Sequence, residues 1–105
     1  MILSIVILSV GLAFAGGSVE NGKKLYNDIT LGGSTNAKSC NTCHPGGKGL
    51  EKAGTKKYTS LMGMKVNALE DVVNICIERP LGGKKLAHDS QKMKDIVSYI
   101  KSLGK

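Results

Sequence analysis

The spacing of apolar and polar positions along the chain predicts three helices. The first covers residues 19–27, and Ser18 is a suitable N-cap because its hydroxyl can accept a hydrogen bond from the first turn. Gly22 and Tyr26 are four residues apart, so they lie on one face of this helix. Leu25 lies beside that face.

A second helix is predicted over residues 68–78, where apolar residues recur at intervals of three and four. Asn67 is expected to cap it, with Glu70 completing a capping box. Pro80 and the glycines that follow it end the helix. The stripe predicted to be buried consists of Leu69, Val72, Val73, Cys76 and Ile77.

A third helix is predicted over residues 91–103, with Ser90 or Asp89 as its cap and Gly104 as a stop signal. Its predicted buried stripe consists of Met93, Ile96, Val97 and Ile100.

The segment between the first two helices, residues 29–66, is rich in Gly, Ser, Thr and Lys. It shows neither helical periodicity nor the alternation of a strand. A loop of this length is unusual in a compact domain unless it surrounds something else. The coarse prediction is therefore an all-α fold with one long irregular segment.

The strongest chemical signal is the string CNTCH at positions 40–44, inside that segment. Two thiols three residues apart, followed at once by a histidine, suit the covalent attachment of haem. Cys40 and Cys43 would bond to the vinyl groups, and His44 would be the proximal iron ligand. A thioredoxin-like redox pair would need strands, and a zinc site would recruit Cys76 as a fourth ligand. The adjacency of Cys43 and His44 favours one covalently bound haem c.

These features together resemble the class I cytochrome c family. The resemblance rests on Gly22 and Tyr26 in the first helix, on the attachment motif, and on Tyr99 in the last helix. In that family the first and last helices cross closely, which implies that Gly22 packs near Tyr99 or Ile96. It also implies a small class I fold in which about three main helices wrap around one covalently bound haem.

The sequence leaves several candidates for the distal iron ligand. Most class I members use a methionine before the last helix, where this chain has none. Met62 and Met64 lie in a loop that could pass over the haem. Cys76 is left over once haem takes two cysteines, which is unusual in an exported chain, although a small buried thiol needs no function. His88 is expected at the surface and Met93 in the core.

Residues 63–103 carry a narrower pattern, centred on Asn74-x-Cys76-x-Glu78-Arg79. This pattern is similar to that of thiosulfate dehydrogenases and, more loosely, to the A subunit of the sulfur-oxidising Sox complex. In those families the cysteine at the position of Cys76 is the distal haem ligand, at the site of sulfur chemistry. The resemblance implies the same role here, and a thiolate ligand would lower the reduction potential that methionine would raise.

The first fifteen residues form an apolar run that ends in small residues at positions 13 and 15. This pattern predicts a cleaved signal peptide, residues 1–15, although no Lys or Arg precedes the run. An uncleaved anchor or a buried helix is the alternative, but a membrane span needs about 20 apolar residues. We therefore expect residues 16–105 to form one cytochrome c domain, periplasmic or otherwise exported, without a stable membrane anchor.

The net charge bears on the partners. The chain has 15 Lys and Arg against 8 Asp and Glu, which gives a formal charge of +7. Such a surface favours encounter with redox proteins that have acidic docking surfaces. A solvated lysine-rich surface without a dedicated partner is the alternative. The export signal and the lack of a nucleic-acid-binding motif argue against nucleic acid as a partner.

Three functions are compatible with these patterns. The first is a monohaem electron carrier between redox partners, in the oxidation of sulfur compounds, which is not itself an enzyme. The second is a haem–thiolate subunit or enzyme that acts directly on thiosulfate or a related substrate. The third is a sensor of small ligands with a weak or absent distal ligand.

Overall fold

The computed structural model describes residues 13–14, 17–61 and 63–104. Within these ranges, two short strand pairs accompany four helices and two 3₁₀ turns. The helices are α1 (Val19–Tyr26), α2 (Cys40–Cys43), α3 (Leu69–Glu78) and α4 (Gln91–Ser102), and the 3₁₀ turns are Leu31–Gly33 and Pro45–Gly47. The antiparallel pairs are β1 (Ala13–Phe14) with β2 (Gly17–Ser18), and β3 (Ser60–Leu61) with β4 (Met64–Lys65).

The three helices predicted from apolar spacing are confirmed as α1, α3 and α4. Ser18 caps α1, since its hydroxyl accepts a hydrogen bond of 3.1 Å from the Asn21 N–H. Ser90 caps α4 in the same way, at 3.2 Å from the Met93 N–H. The all-α prediction leaves out the strand pairs, because strands of two residues are too short to show alternation.

The predicted capping box at the start of α3 is wrong. The helix begins one residue later than expected, with Ala68 as an N-cap whose side chain makes no hydrogen bond. Asp71 therefore takes the third helical position that was assigned to Glu70. Its Oδ2 accepts a hydrogen bond of 2.9 Å from the Asn67 N–H. This hydrogen bond is the main reason that the pKa of Asp71 lies below its ordinary value.

The crossing of α1 over α4 confirms the predicted close approach of Gly22 to Tyr99. A Cβ atom at Gly22 would collide with the Asp95 carbonyl and would lie 2.7 Å from the Cβ of Tyr99. One turn further on, the rings of Tyr26 and Tyr99 lie 5.0 Å apart between centroids and are tilted by 58°. This tilted packing is a favourable geometry for aromatic pairs.

A buried carboxylate connects the N-terminal end of α1 to α4. Asp95 Oδ1 accepts hydrogen bonds of 2.8 Å from the Ser18 N–H and from Gln91 Nε2. These bonds compensate the cost of burying a carboxylate. The apolar core around the crossing is formed by Tyr26, Leu31, Leu69, Val73, Ile77, Leu81, Met93, Ile96, Val97, Tyr99 and Ile100.

The predicted signal segment, residues 1–15, lies outside the described residues except for Ala13 and Phe14. Among the described residues, none of the helices has the length and apolar character needed to cross a membrane.

The Gly22→Ala variant tests the helix crossing. Without a collision, alanine in a helix would stabilise the fold by about 0.5–1 kcal/mol. We expect instead that the free energy of unfolding falls by about 2 kcal/mol, because the added methyl group forces α1 away from α4. Chemical denaturation measures the difference. Asn21→Ala, at the exposed neighbouring position, is the control, and a Gly22→Ala protein that is more stable than wild type would contradict the close crossing.

The Asp71→Asn variant tests the acidic group at the start of α3. Folding lowers the pKa of Asp71, so its stabilisation is complete above the unfolded pKa and is lost as the pH falls through the folded pKa. We expect the free energy of unfolding of wild type to exceed that of the variant by about 1 kcal/mol at pH 7, and this difference to shrink steadily as the pH falls below about 4. Unfolding curves over this pH range measure the difference. Glu78→Gln, an exposed change on the same helix, is the control, and equal curves for both variants would refute the assignment.

Candidate haem site

A cavity of about 280 Å³ lies among α1, α2, α3 and α4. Its volume is near the lower end of the range for ligand pockets, about 300–1,000 Å³. The lining is almost entirely apolar, and among the described residues it includes no Asp, Glu, Lys or Arg. The residues that line it are Tyr26, Ser39, Cys40, Cys43, His44, Leu50, Ala53, Tyr58, Leu69, Val72, Val73, Cys76, Pro80, Leu81 and Ile100.

The attachment motif forms the single helical turn α2, and both of its cysteines line the cavity. The turn is held by a capping box, in which the Ser39 N–H donates a hydrogen bond of 2.9 Å to Thr42 Oγ1. The His44 N–H donates to the Cys40 carbonyl at 2.9 Å and closes the turn. The turn therefore brings both thiols and the imidazole to one cavity.

The hydrogen bonds of His44 suit an iron ligand. Its Nδ1 lies 3.1 Å from the Lys48 carbonyl oxygen, which can only accept a hydrogen bond. Nδ1 therefore carries the proton, and Nε2 is left with a lone pair for a metal. This arrangement, in which the second ring nitrogen donates to a carbonyl, is usual for histidines that bind metals.

Tyr26 fixes the backbone of the same turn. Its hydroxyl donates a hydrogen bond of 2.5 Å to the His44 carbonyl. Burial, and after it the nearby Cys40, raises the pKa of Tyr26 to about 12, so the hydroxyl keeps its proton at physiological pH. Tyr26 thus connects the packing of α1 on α4 directly to the attachment motif.

One face of α3 forms another wall of the cavity. Leu69, Val72, Val73 and Cys76 lie on it, at helical spacing. Burial raises the pKa of Cys76, and the nearby Cys43 raises it further. Burial likewise raises the pKa of Cys40 to about 12, with Cys76 as the next cause. The three thiols therefore share one apolar site.

Two of the other ligand candidates lie elsewhere. Met93 is fully buried in the helical core and does not line the cavity. His88 is 55% exposed, and its Nε2 lies 3.0 Å from Asp71 Oδ1. The positions expected for these two side chains from the sequence, core and surface, are confirmed.

Met64 also lies away from the cavity. It lines an open groove on the outer side of α3, and its sulfur accepts a hydrogen bond from Arg79 Nη2 at 3.6 Å. Met62 lies outside the described residues. Among the described candidates for the distal ligand, Cys76 is therefore the only one that lines the cavity.

The residues of this cavity fit haem c better than a zinc ion. Its lining is apolar, as a porphyrin requires, and it carries two thiols, an imidazole with a free Nε2 and a third thiol. In the described part of the chain, no group of three or more His, Cys, Asp or Glu side chains is arranged to hold a metal ion. The zinc alternative from the sequence thus gains no support from the geometry.

One wall of the cavity is not predicted by the patterns in the sequence. Leu50, Ala53 and Tyr58 line it from the irregular loop after the motif. The only sequence signal was a few apolar residues among the lysines of that loop, with no helical or strand period.

Two comparisons with known proteins agree with this geometry. Residues 21–105 match the family model of the SoxA/TsdA cytochrome c domain. The crystal structure of SoxXA from P. pantotrophus is similar to this chain, with a TM-score of 0.62 and 27% sequence identity. The similar region covers 81% of this chain and 31% of the SoxXA chain. No curated protein sequence matches this one significantly.

Proposed function

Because the chain belongs to the SoxA/TsdA cytochrome c domain family, we propose that it is a monohaem c-type cytochrome that transfers single electrons in the oxidation of sulfur compounds. Membership in a cytochrome c family implies haem c as the cofactor. One observation carries the finer proposal: Cys76 lines the same apolar cavity as the attachment motif.

In this proposal Cys40 and Cys43 would hold the haem through thioether bonds, and His44 and Cys76 would bind its iron. The bound haem supplies one-electron iron chemistry. The Lys48 carbonyl orients the imidazole, since it accepts a hydrogen bond from the Nδ1–H group of His44. The apolar lining would lower the polarity around the thiol and the imidazole, which strengthens electrostatic interactions there.

A thiolate at Cys76 is consistent with its surroundings only if a cation compensates its charge. Burial raises the pKa of Cys76, so the isolated side chain would remain a thiol. A coordinated metal cation reverses this preference, because it stabilises the thiolate directly. The cavity offers no Lys or Arg among its described lining residues, so the ferric iron is the cation that this proposal assigns to the role.

The proposal includes export of the protein. Residues 1–15 are assigned to a signal peptide that is cleaved, and residues 16–105 to a single cytochrome c domain in the periplasm or outside the cell. The apolar run that ends in small residues supports this assignment.

The Cys76→Ala variant tests the distal ligand. We expect electron paramagnetic resonance of the ferric protein to lose the low-spin signature of a thiolate ligand. We also expect the reduction potential to rise by on the order of 100 mV, within the roughly 0.8 V over which axial ligands set haem potentials. Potentiometric titration measures the second effect.

Met64→Ala and Met62→Ala are the matched controls for this experiment. Both should keep the wild-type low-spin signal and potential. An unchanged signal in Cys76→Ala would remove the thiolate from the proposal, and a signal lost in Met62→Ala would assign the ligand to that methionine.

The second candidate function is a haem–thiolate enzyme or subunit that acts on thiosulfate or a related anion. The observation that favours it is the partial exposure of Cys76, in a cavity that opens to solvent. A small anion could therefore approach the sulfur of the distal ligand.

Anaerobic mixing of the ferric protein with thiosulfate separates the two functions. An enzyme should show reduction of the haem that depends on thiosulfate and that falls at least tenfold in Cys76→Ala, because the reacting sulfur is absent. Absorption spectroscopy follows the reduction, and sulfate, which is already fully oxidised, is the control anion. The electron-carrier proposal predicts no reduction beyond that control, with or without an added electron acceptor.

A further inference from the structure

The loop of residues 48–58, which we name the basic strap, has two chemically different sides. Its apolar residues Leu50, Ala53 and Tyr58 line the candidate haem cavity. Its four lysines are all exposed. One segment therefore closes the cofactor site on its inner side and presents positive charge on its outer side. These lysines are Lys48, Lys52, Lys56 and Lys57.

The basic strap keeps a net positive charge, and none of its lysines forms an ion pair with a carboxylate of the described residues. Its one acid, Glu51, is bound to the strap itself, because its Oε1 accepts a hydrogen bond of 2.9 Å from the Gly49 N–H. Among residues 17–61 and 63–104, the one pair of oppositely charging side chains in contact is His88 with Asp71, and it involves no lysine. Lys56 is placed over the ring of Tyr58, with Nζ 5.7 Å from the centroid.

An open groove of about 450 Å³ runs along the outer side of the strap. Lys56 and Lys57 line it from the strap and Lys101 lines it from α4. The one carboxylate among its described lining residues is Glu70. The groove thus has a net positive charge and draws its cations from two separate elements.

The groove and the haem cavity share a wall. Both are lined by Ala53, Tyr58 and Leu69. A single layer of side chains therefore separates a molecule bound in the groove from the candidate haem cavity. Among the exposed lysines elsewhere on the domain, those at positions 84, 92 and 94 line neither space. Positive charge and proximity to the cofactor therefore coincide at the strap.

We propose that the basic strap and its groove are the docking surface for a redox protein with a carboxylate-rich face, and that the electron crosses the wall formed by Ala53, Tyr58 and Leu69. This inference rests on the proposed electron-transfer function. The cations are spread along a loop and onto a second element, an arrangement that matches an extended acidic surface rather than one small anion. Charge complementarity of this kind raises association rates by about 10- to 1,000-fold at low salt.

Stopped-flow oxidation of the ferrous holoprotein by oxidised plastocyanin, an acidic copper protein, tests the docking surface. One electron leaves the ferrous iron and reduces one Cu(II) to Cu(I). The strap variant carries Lys52→Gln, Lys56→Gln and Lys57→Gln. The control variant carries the same change at Lys84, Lys92 and Lys94, so both variants lose the same net charge.

At low ionic strength we expect the bimolecular rate constant to fall about tenfold in the strap variant and less than twofold in the control, and the difference to vanish at high salt. Oxidation by benzoquinone, which is uncharged, should be equal in all three proteins. An equal loss in both variants would overturn the proposal, because net charge alone would then explain the rate. A loss reproduced in wild type by sulfate, and not by chloride of equal ionic strength, would overturn it in favour of a small-anion site.

Amide chemical-shift mapping of the wild-type protein with reduced plastocyanin gives a second readout that does not depend on a variant. Shifts within residues 48–58 and at Lys101 support the proposal, and shifts concentrated within residues 84–94 overturn it. Failure of the electron-carrier proposal has a different signature, since it would show as absent haem c or as no reaction with benzoquinone. A result against Cys76 as the ligand leaves the docking measurement unaffected.

Discussion

The close approach of α1 to α4 at Gly22 is the contact on which the candidate site depends. Because Gly22 has no side chain, α1 can lie against the Asp95 backbone and the Cβ of Tyr99. This distance brings Tyr26 onto the Tyr99 ring, one turn along α1. The Tyr26 hydroxyl then reaches the His44 carbonyl and holds the end of the attachment motif. A methyl group at the crossing would therefore disturb the cofactor site through the same tyrosine.

The position of α3 is set from its outer side. Buried Asn74 forms two hydrogen bonds with the backbone of Leu86, as donor to the carbonyl at 2.9 Å and as acceptor from the N–H at 2.7 Å. Asp71, which lies one turn before Asn74 on α3, is paired with His88. These polar contacts hold the outer face of α3 against the segment before α4. The opposite face, with Cys76, is thereby directed to the cavity.

The sequence predicts what is encoded locally. Apolar spacing and the serine caps placed the main helices, and the CNTCH string identified one wall of the site because its members are adjacent. The predicted cap of α3 is wrong because the helix begins one residue later than expected, which puts Asp71 in place of Glu70. Apolar spacing does not determine the start of a helix to one residue. The hydrogen bond of Tyr26 to His44 and the wall formed by residues 50–58 depend on tertiary contacts, which have no period along the chain.

The proposed distal ligand and the proposed docking groove lie at separate places in the fold. Cys76 lines the cavity but not the basic groove, whereas Lys56, Lys57 and Lys101 line the groove but not the cavity. If Cys76 is the distal ligand, a change at this position would alter the charge at the iron and leave the surface charge unchanged. A change of a groove lysine alters the field that an acidic partner meets in solvent, where screening weakens its effect on the iron. Ligand and partner can thus vary independently on this fold, with the wall that includes Tyr58 as the structure common to both.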